Sequence, residues 1–187
     1  MESKIEIRTA SPEDAKVLSE IYSFYVKETP ITFEYEVPAP EEFAARIRTT
    51  LKSYPYLVAL KDSVICGYAY ASSFKSRAAY DWSVETSIYV REGAQGGGIG
   101  SALYRKLEEY LRAQHVCNLC ACITYPNPRS EAFHASHGYT TVAHFHHSGY
   151  KLSQWWDMIW MEKELTPHQV PPAPFLPFSE LPSDIYQ

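Results

Sequence analysis

The chain of 187 residues is 45% hydrophobic and 21% charged, enough apolar material for one compact domain and too ordinary a balance for disorder. Its 17 Lys and Arg against 22 Asp and Glu leave a net charge of −5, with no basic block to track phosphates, which argues against a nucleic-acid partner. The opening stretch is polar and alternating rather than a signal peptide, and no apolar run approaches the ~20 residues of a membrane span, so the chain reads as cytoplasmic and free of membrane.

Ile5 and Ile7 alternate with Glu6 and Arg8, predicting a strand over 4–9. Ser11-Pro12-Glu13-Asp14 supplies a cap, a first-turn proline and acids, and Val17, Leu18, Ile21, Tyr22 and Tyr25 follow at helical spacing as far as Thr29-Pro30. The aromatic, acidic run Thr32-Phe33-Glu34-Tyr35-Glu36 has no clear period. A second helix opens near Pro40, with Phe43, Ile47 and Leu51 on one stripe. Strands over 56–60 and 64–72 flank the turn Lys61-Asp62-Ser63, and a third strand runs over about 81–90. A glycine cluster over 93–100 then opens a helix whose inner face is Ile99, Leu103, Leu107 and Leu111.

A strand over 118–124 follows, with Leu119, Ala121 and Ile123 on one face. Next come a short helix over 129–136 and a closing hairpin that begins over 138–147 and returns through 156–161. From Thr166 the chain is proline-rich and reads as a tail laid over the surface or disordered, which divides it into a folded unit over 1–165 and a tail over 166–187. The order is that of an α/β fold with a mixed sheet, antiparallel through the middle. Cys66, Cys117, Cys120 and Cys122 read as reduced, buried thiols, because no second ligand pair turns Cys117-x-x-Cys120-x-Cys122 into a zinc site. His144 and His146 share a strand face, with His137 and His147 nearby. No third ligand is evident beside them, so no metal is expected.

The most informative run is the strand over 84–90 feeding Gln95-Gly96-Gly97-Gly98-Ile99-Gly100-Ser101. Backbone N–H groups at such a helix start lack intrahelical partners, and glycines let an anion such as a pyrophosphate approach them. The run is neither a dinucleotide fingerprint, lacking the distal acid, nor a P-loop, lacking Lys-Ser or Lys-Thr. Gln95-x-x-Gly98-x-Gly100 resembles the coenzyme A pyrophosphate motif of the GNAT acetyltransferase superfamily, whose element order is similar over about residues 4–164. Thr32-Phe33-Glu34-Tyr35-Glu36, Tyr80-Asp81-Trp82, the Glu85 strand and Pro126-Asn127 with His134 resemble the phosphinothricin and methionine sulfoximine acetyltransferases.

That resemblance implies a GNAT-like, mostly antiparallel central sheet flanked by about four helices, acetyl-CoA as co-substrate, and a homodimer. It implies that Ile88, Tyr89 and Val90 follow the pantetheine arm, Gly96 to Ser101 the pyrophosphate, and Asn127 the thioester end. Gly96 stands where such proteins often carry a basic residue, so backbone amides and the helix dipole take a larger share.

Glu85 is a carboxylate among apolar neighbours: either a base for an amine substrate, or the partner of Arg77 or Arg91 in a structural ion pair. His134 either exchanges a proton with thiolate or amine, or packs beside Phe133. Arg77, with Lys75, either receives a substrate carboxylate or is a solvated turn charge. Thr86 and Ser87 flank Glu85 as substrate contacts, and Phe33 and Tyr35 wall the pocket or join the core. The activity so implied is direct transfer of acetyl from acetyl-CoA to the amino group of a small amino-acid-like substrate. The alternatives are a diamine or polyamine acetyltransferase, and a non-catalytic acyl-CoA-binding sensor.

Overall fold

A computed structural model describes residues 4–182. Strand β1 (Ile5–Thr9) leads through a 3-10 turn into α1 (Ala15–Glu28) and α2 (Pro40–Ser53); β2 (Tyr56–Lys61) and β3 (Val64–Ser73) form a hairpin; and β4 (Ser83–Val90) precedes α3 (Ile99–Ala113). Then come β5 (Asn118–Tyr125), α4 (Pro128–Ser136), β6 (Thr140–Lys151) and β7 (Gln154–Glu164). Seven strands lie in the order β1-β2-β3-β4-β5-β7-β6. Every neighbouring pair is antiparallel except β4 and β5, which are parallel and joined by α3 as a crossover.

Period-two alternation divides the core. In β2, Leu57 and Ala59 pack toward α3 with Leu103, Leu107, Leu111 and Leu119, while Tyr56 and Val58 pack toward α1 and α2 with Leu18, Ile21, Phe43 and Ile47. Each fully buried aliphatic side chain contributes ~1.5–3 kcal/mol, so the slip of a single register step would be ruinous. The Asp62-Ser63 turn has φ of 52° and 64°, the paired left-handed conformation that tight hairpins need.

The feature that makes a site is the β4/β5 seam. These strands pair only at Ser83–Asn118, Val84–Leu119 and Glu85–Cys120, and no pairing continues beyond Glu85. The rest of β4 stays bonded to β3 as far as Val90.

The proline-rich tail lies over the surface and is tied to it. Leu176 N–H donates to the Gln114 carbonyl, the Gln114 amide donates to Ser53 and Leu176 carbonyls, and Trp82 Nε1 donates to the Ala173 carbonyl. Phe178 and Leu181 are buried in the α3-side core. Residues 183–187 of the tail lie outside the described residues. The closing hairpin is longer than its sequence pattern indicates, turning at Leu152-Ser153, because bulges interrupt its alternation. Of the four thiols, Cys66, Cys117 and Cys120 are buried as expected, whereas Cys122 is exposed, its strand position facing an opening rather than a packed layer.

Candidate active site

Beyond Glu85 the seam opens into a cleft. A cavity of about 370 Å³ is bounded on one side by Ile88, Val90, Gln95, Gly96, Gly98, Ile99, Gly100 and Ser101. Asn127, Arg129, Ser130 and Phe133 of the α4 region close the other side, with Tyr25 and Ile31. A smaller space of about 60 Å³ shares Ile31, Ile88, Asn127 and Ser130 and carries the opening inward to Thr86, Ser87, Tyr89, Tyr104, Cys122 and His134. The resemblance-derived cofactor residues thus converge, except Gly97, which sits exposed outside the wall.

Local chemistry explains the shape. Gly98 caps α3 at φ 79°, a left-handed conformation that side chains resist. Gly100 is required for packing: a Cβ there would lie 2.9 Å from the Phe133 ring, which presses α4 against the first turn of α3. Gln95 Oε1 accepts the Gly93 N–H at 3.1 Å and shapes the loop. Asn127 caps α4, its Oδ1 accepting the Ser130 N–H at 3.1 Å.

The β4 backbone offers a free edge. Arg91 N–H turns toward β3, bonding the Cys66 carbonyl, while Val90 N–H and C=O both turn away and meet the Tyr25 hydroxyl at 3.3 and 2.5 Å. By the period of two, the N–H and C=O of Ile88 also face the cleft, where β5 has diverged. A peptide-like ligand can add to that edge as a further strand would.

The two titratable candidates reach the seam from opposite faces of the sheet. Glu85 and Ser87 share the α1/α2 face with Tyr89, whereas Thr86 points to the α3 face. Burial raises the Glu85 carboxyl above the ordinary carboxylate range, with the Lys75 ammonium pulling the other way. Neither arginine weighed as its partner pairs with it: Arg91 donates to the Ile65 carbonyl, and Arg77 is exposed without an ion pair among the described residues.

His134 is 3% exposed. Its Nδ1 lies 2.8 Å from the Ser130 carbonyl, which only accepts, so Nδ1 carries the proton and Nε2 is left to accept from the Tyr104 hydroxyl at 2.9 Å. Burial lowers the His134 pKa, against the Ser130 bond that raises it, so the ring is neutral near pH 7. Tyr104 also reaches Thr86 Oγ1 at 3.3 Å, which bonds Tyr139. Thr86 therefore belongs to this buried network rather than to the Glu85 side.

Phe33 and Tyr35 serve as fasteners of the segment between α1 and α2. The Phe33 ring lies on Gly149, where a Cβ would come within 2.3 Å, and the Tyr35 hydroxyl donates to the Tyr150 carbonyl at 2.5 Å. Lys151, buried by the same segment, donates to the Thr32 carbonyl at 2.6 Å, and burial lowers its pKa. The residue this segment gives both cavities is Ile31.

Several cleft residues escape sequence reading, among them Tyr25, Tyr104, Arg129, Ser130 and Ile31. Arg129 faces the glycine turn from α4 and supplies a cation in the cleft whose glycine turn has none at position 96. Ser130 and Ile31 line both cavities. Arg129 stands two residues after Asn127, and only knowledge that α4 packs on Gly100 would have signalled it.

This arrangement has known counterparts. Residues 7–160 match the model of the acetyltransferase (GNAT) domain. The chain belongs to the GNAT acetyltransferase family. It is 36% identical to the phosphinothricin N-acetyltransferase of Streptomyces coelicolor, covering 87% of this chain and 98% of that protein. It is 31% identical to the L-methionine sulfoximine/L-methionine sulfone acetyltransferase of Salmonella typhimurium, covering 89% and 98%. The fold superposes on the crystal structure of a GNAT superfamily phosphinothricin acetyltransferase from Sinorhizobium meliloti in complex with AcCoA, with TM-score 0.86 and 32% identity over 98% of this chain and all of that one. As a GNAT protein the chain is an acyltransferase enzyme of mixed α/β fold with a mostly antiparallel sheet, as its element order implied.

Proposed function

We propose that this enzyme acetylates the amino group of a small amino acid of the phosphinothricin or methionine sulfoximine type, by direct transfer. The observation that carries the reading is a half-buried carboxylate, Glu85, without an ion pair among the described residues. It lines neither cavity itself but stands where β4/β5 pairing ends, one residue before Thr86 and Ser87 line the inner space of a cleft with a glycine-capped helix start. The residues fit acetyl-CoA: the α3 N-terminus with Gly96, Gly98 and Ser101 takes the pyrophosphate, aided by Arg129, and the edge of Ile88 takes a pantetheine amide, as does that of Val90 once the Tyr25 hydroxyl yields its place. Acetyl-CoA supplies an activated thioester carbonyl at the inner end, near Asn127.

An ammonium has no lone pair, so the amine must first lose a proton, and Glu85, directly or through water, accepts it. The amine nitrogen then forms a bond to the carbonyl carbon, the C–S bond breaks, and the second proton shed by the nitrogen is taken up by the leaving thiolate. A free N–H of β4 holds the developing oxyanion. Lys75 and Arg77 stand before the Glu85 strand to receive a substrate carboxylate, and Ser87 bounds the substrate side, with Phe33 and Tyr35 fastening the segment that brings Ile31 to it. His134 and Tyr104 form the opposite wall, His134 with its Nδ1 proton held by the Ser130 carbonyl and Nε2 by the Tyr104 hydroxyl. Glu108, under the opposite face, is held by Lys163 and Arg112.

We place this protein in the cytoplasm as a homodimer. Free cysteines accord with the first, and no helix among the described residues is long and apolar enough to cross a membrane. Val142, Phe145, Tyr150, Leu152 and Trp155, all exposed on the edge hairpin β6–β7, accord with the second. The test of the function is release of free CoA thiol on addition of a panel of amino acids, diamines and polyamines. Release with amino acids alone supports the reading; release with diamines alone moves the assignment to the polyamine class; no release from folded, acetyl-CoA-binding protein leaves an acyl-CoA sensor.

A further inference from the structure

The β6–β7 hairpin carries a second chemical constellation, whose residues line neither cavity of the cleft. Its register shifts between Phe145 and Gly149, so that residues 146–148 bulge opposite the one residue Asp157. His147 takes φ 52° in the bulge, and its N–H donates to Asp157 Oδ1 at 2.8 Å. That bond fixes the carboxylate and turns its other oxygen outward. His144 Nε2 and His146 Nδ1 then converge on Asp157 Oδ2, at 2.8 and 2.9 Å.

The geometry points to a binding site for a divalent transition-metal ion of the zinc class, with His144, His146 and Asp157 as its three protein ligands. One ligand atom from each lies within 4.8 Å of the others, a spread that a single ion with bonds of about 2.0–2.2 Å can span after small side-chain adjustment. The ion takes the place of the two N–H protons now shared with Asp157 Oδ2. Two imidazoles and one carboxylate suit zinc, cobalt or nickel and are a poor set for magnesium or calcium, which prefer all-oxygen shells. Solvent reaches His146, so water completes the coordination.

Two further contacts stiffen the set. The Tyr125 ring lies 4.7 Å from that of His144, and the two histidine rings are 4.4 Å apart at 36°. The bond from His147 N–H to Oδ1 is the kind of outer contact that orients a metal-binding carboxylate. The sequence shows the two histidines but hides Asp157, because only the bulge brings it to them.

The test uses the full chain without a histidine tag, titrated with zinc chloride in a calorimeter, with magnesium chloride as the hard-cation control. The expected result is saturable zinc binding at one ion per chain, no magnesium heat, and a raised melting temperature with zinc. His146→Ala, an exposed position where truncation spares the fold, should weaken zinc binding more than about tenfold, and Asp157→Asn likewise. Cobalt substitution should give ligand-field absorption without a thiolate charge-transfer band. The inference is overturned if wild-type protein takes up no zinc to millimolar concentration, if both variants bind as wild type does, or if the cobalt spectrum reports cysteine ligation.

Discussion

The two walls of the β4/β5 seam each bury a titratable group, and they treat it in opposite ways. On the α3 wall, His134 has both nitrogens engaged, one with a backbone carbonyl and one with a tyrosine hydroxyl. On the α1/α2 wall, Glu85 is raised by burial and has no arginine to hold its charge, with Lys75 only a weak counterweight. Burial discourages charge on both groups. Only Glu85, however, stores an unmet capacity that an ammonium substrate would satisfy by handing over its proton. His134 is spent on holding its neighbours, so its contribution is to shape and, at most, to late proton return.

That contrast can be broken by mutation, and the largest effect should come from Glu85. Glu85→Gln preserves shape but cannot accept a proton, so kcat/KM for an amino-acid substrate should fall by roughly 10²–10⁴ near neutral pH with acetyl-CoA affinity retained. Stability should move the other way. A carboxyl whose folded pKa is raised favours the folded state while protonated and disfavours it as pH rises through that pKa. Glu85→Gln should therefore melt no lower than wild type at pH 7, and any gain should vanish once the pH drops below the ordinary carboxylate range. Calorimetric melts across pH check this, and a strongly destabilised variant at pH 7 would make Glu85 a structural ion-pair partner.

His134→Gln should show the reverse signature. It breaks the 2.9 Å bond of the buried Tyr104 hydroxyl and leaves that group only its longer contact to Thr86, costing about 1–3 kcal/mol of stability, with a smaller loss of turnover than Glu85→Gln. A rate loss equal to that of Glu85→Gln, without destabilisation, would make His134 the thiolate's proton donor. Arg129→Ala should weaken acetyl-CoA by about tenfold in a binding isotherm, the scale of one charge-assisted contact to phosphate. Unchanged affinity would leave the pyrophosphate to backbone amides alone. Smallest, Arg77→Ala should raise KM a few-fold for amino acids and leave a carboxylate-free amine unaffected, and equal change on both substrates would remove it from the carboxylate site.

How far the sequence announces all this depends on whether a feature is periodic or registered. The strands and α-helices are legible from local pattern, save the full extent of the closing hairpin, because period two and period 3.6 are written in residues such as Leu119, Ala121 and Ile123, or Leu103, Leu107 and Leu111. The cofactor turn is legible because a glycine-capped helix start is a local device. What escapes is whatever depends on how elements meet. Arg129 enters the cleft only through the Phe133–Gly100 contact. Thr86 and Glu85 are neighbours in sequence yet face different layers, and Phe33 is a fastener because β6 has a glycine at 149. Cys122 is exposed because the layer it would pack against is the open cleft, and Asp157 meets two histidines because β6 bulges.

The most direct test of the central claim, that Glu85 takes the amine proton, is the pH profile of kcat/KM for wild type and Glu85→Gln on one amino-acid substrate. Wild type should lose activity as pH falls through a carboxyl pKa lying above the ordinary carboxylate range. The variant should lack that limb, and its deficit should shrink as pH rises and the amine arrives deprotonated. A Glu85→Gln enzyme with near-wild-type kcat/KM at pH 7, or a deficit that stays constant with pH, would contradict the account.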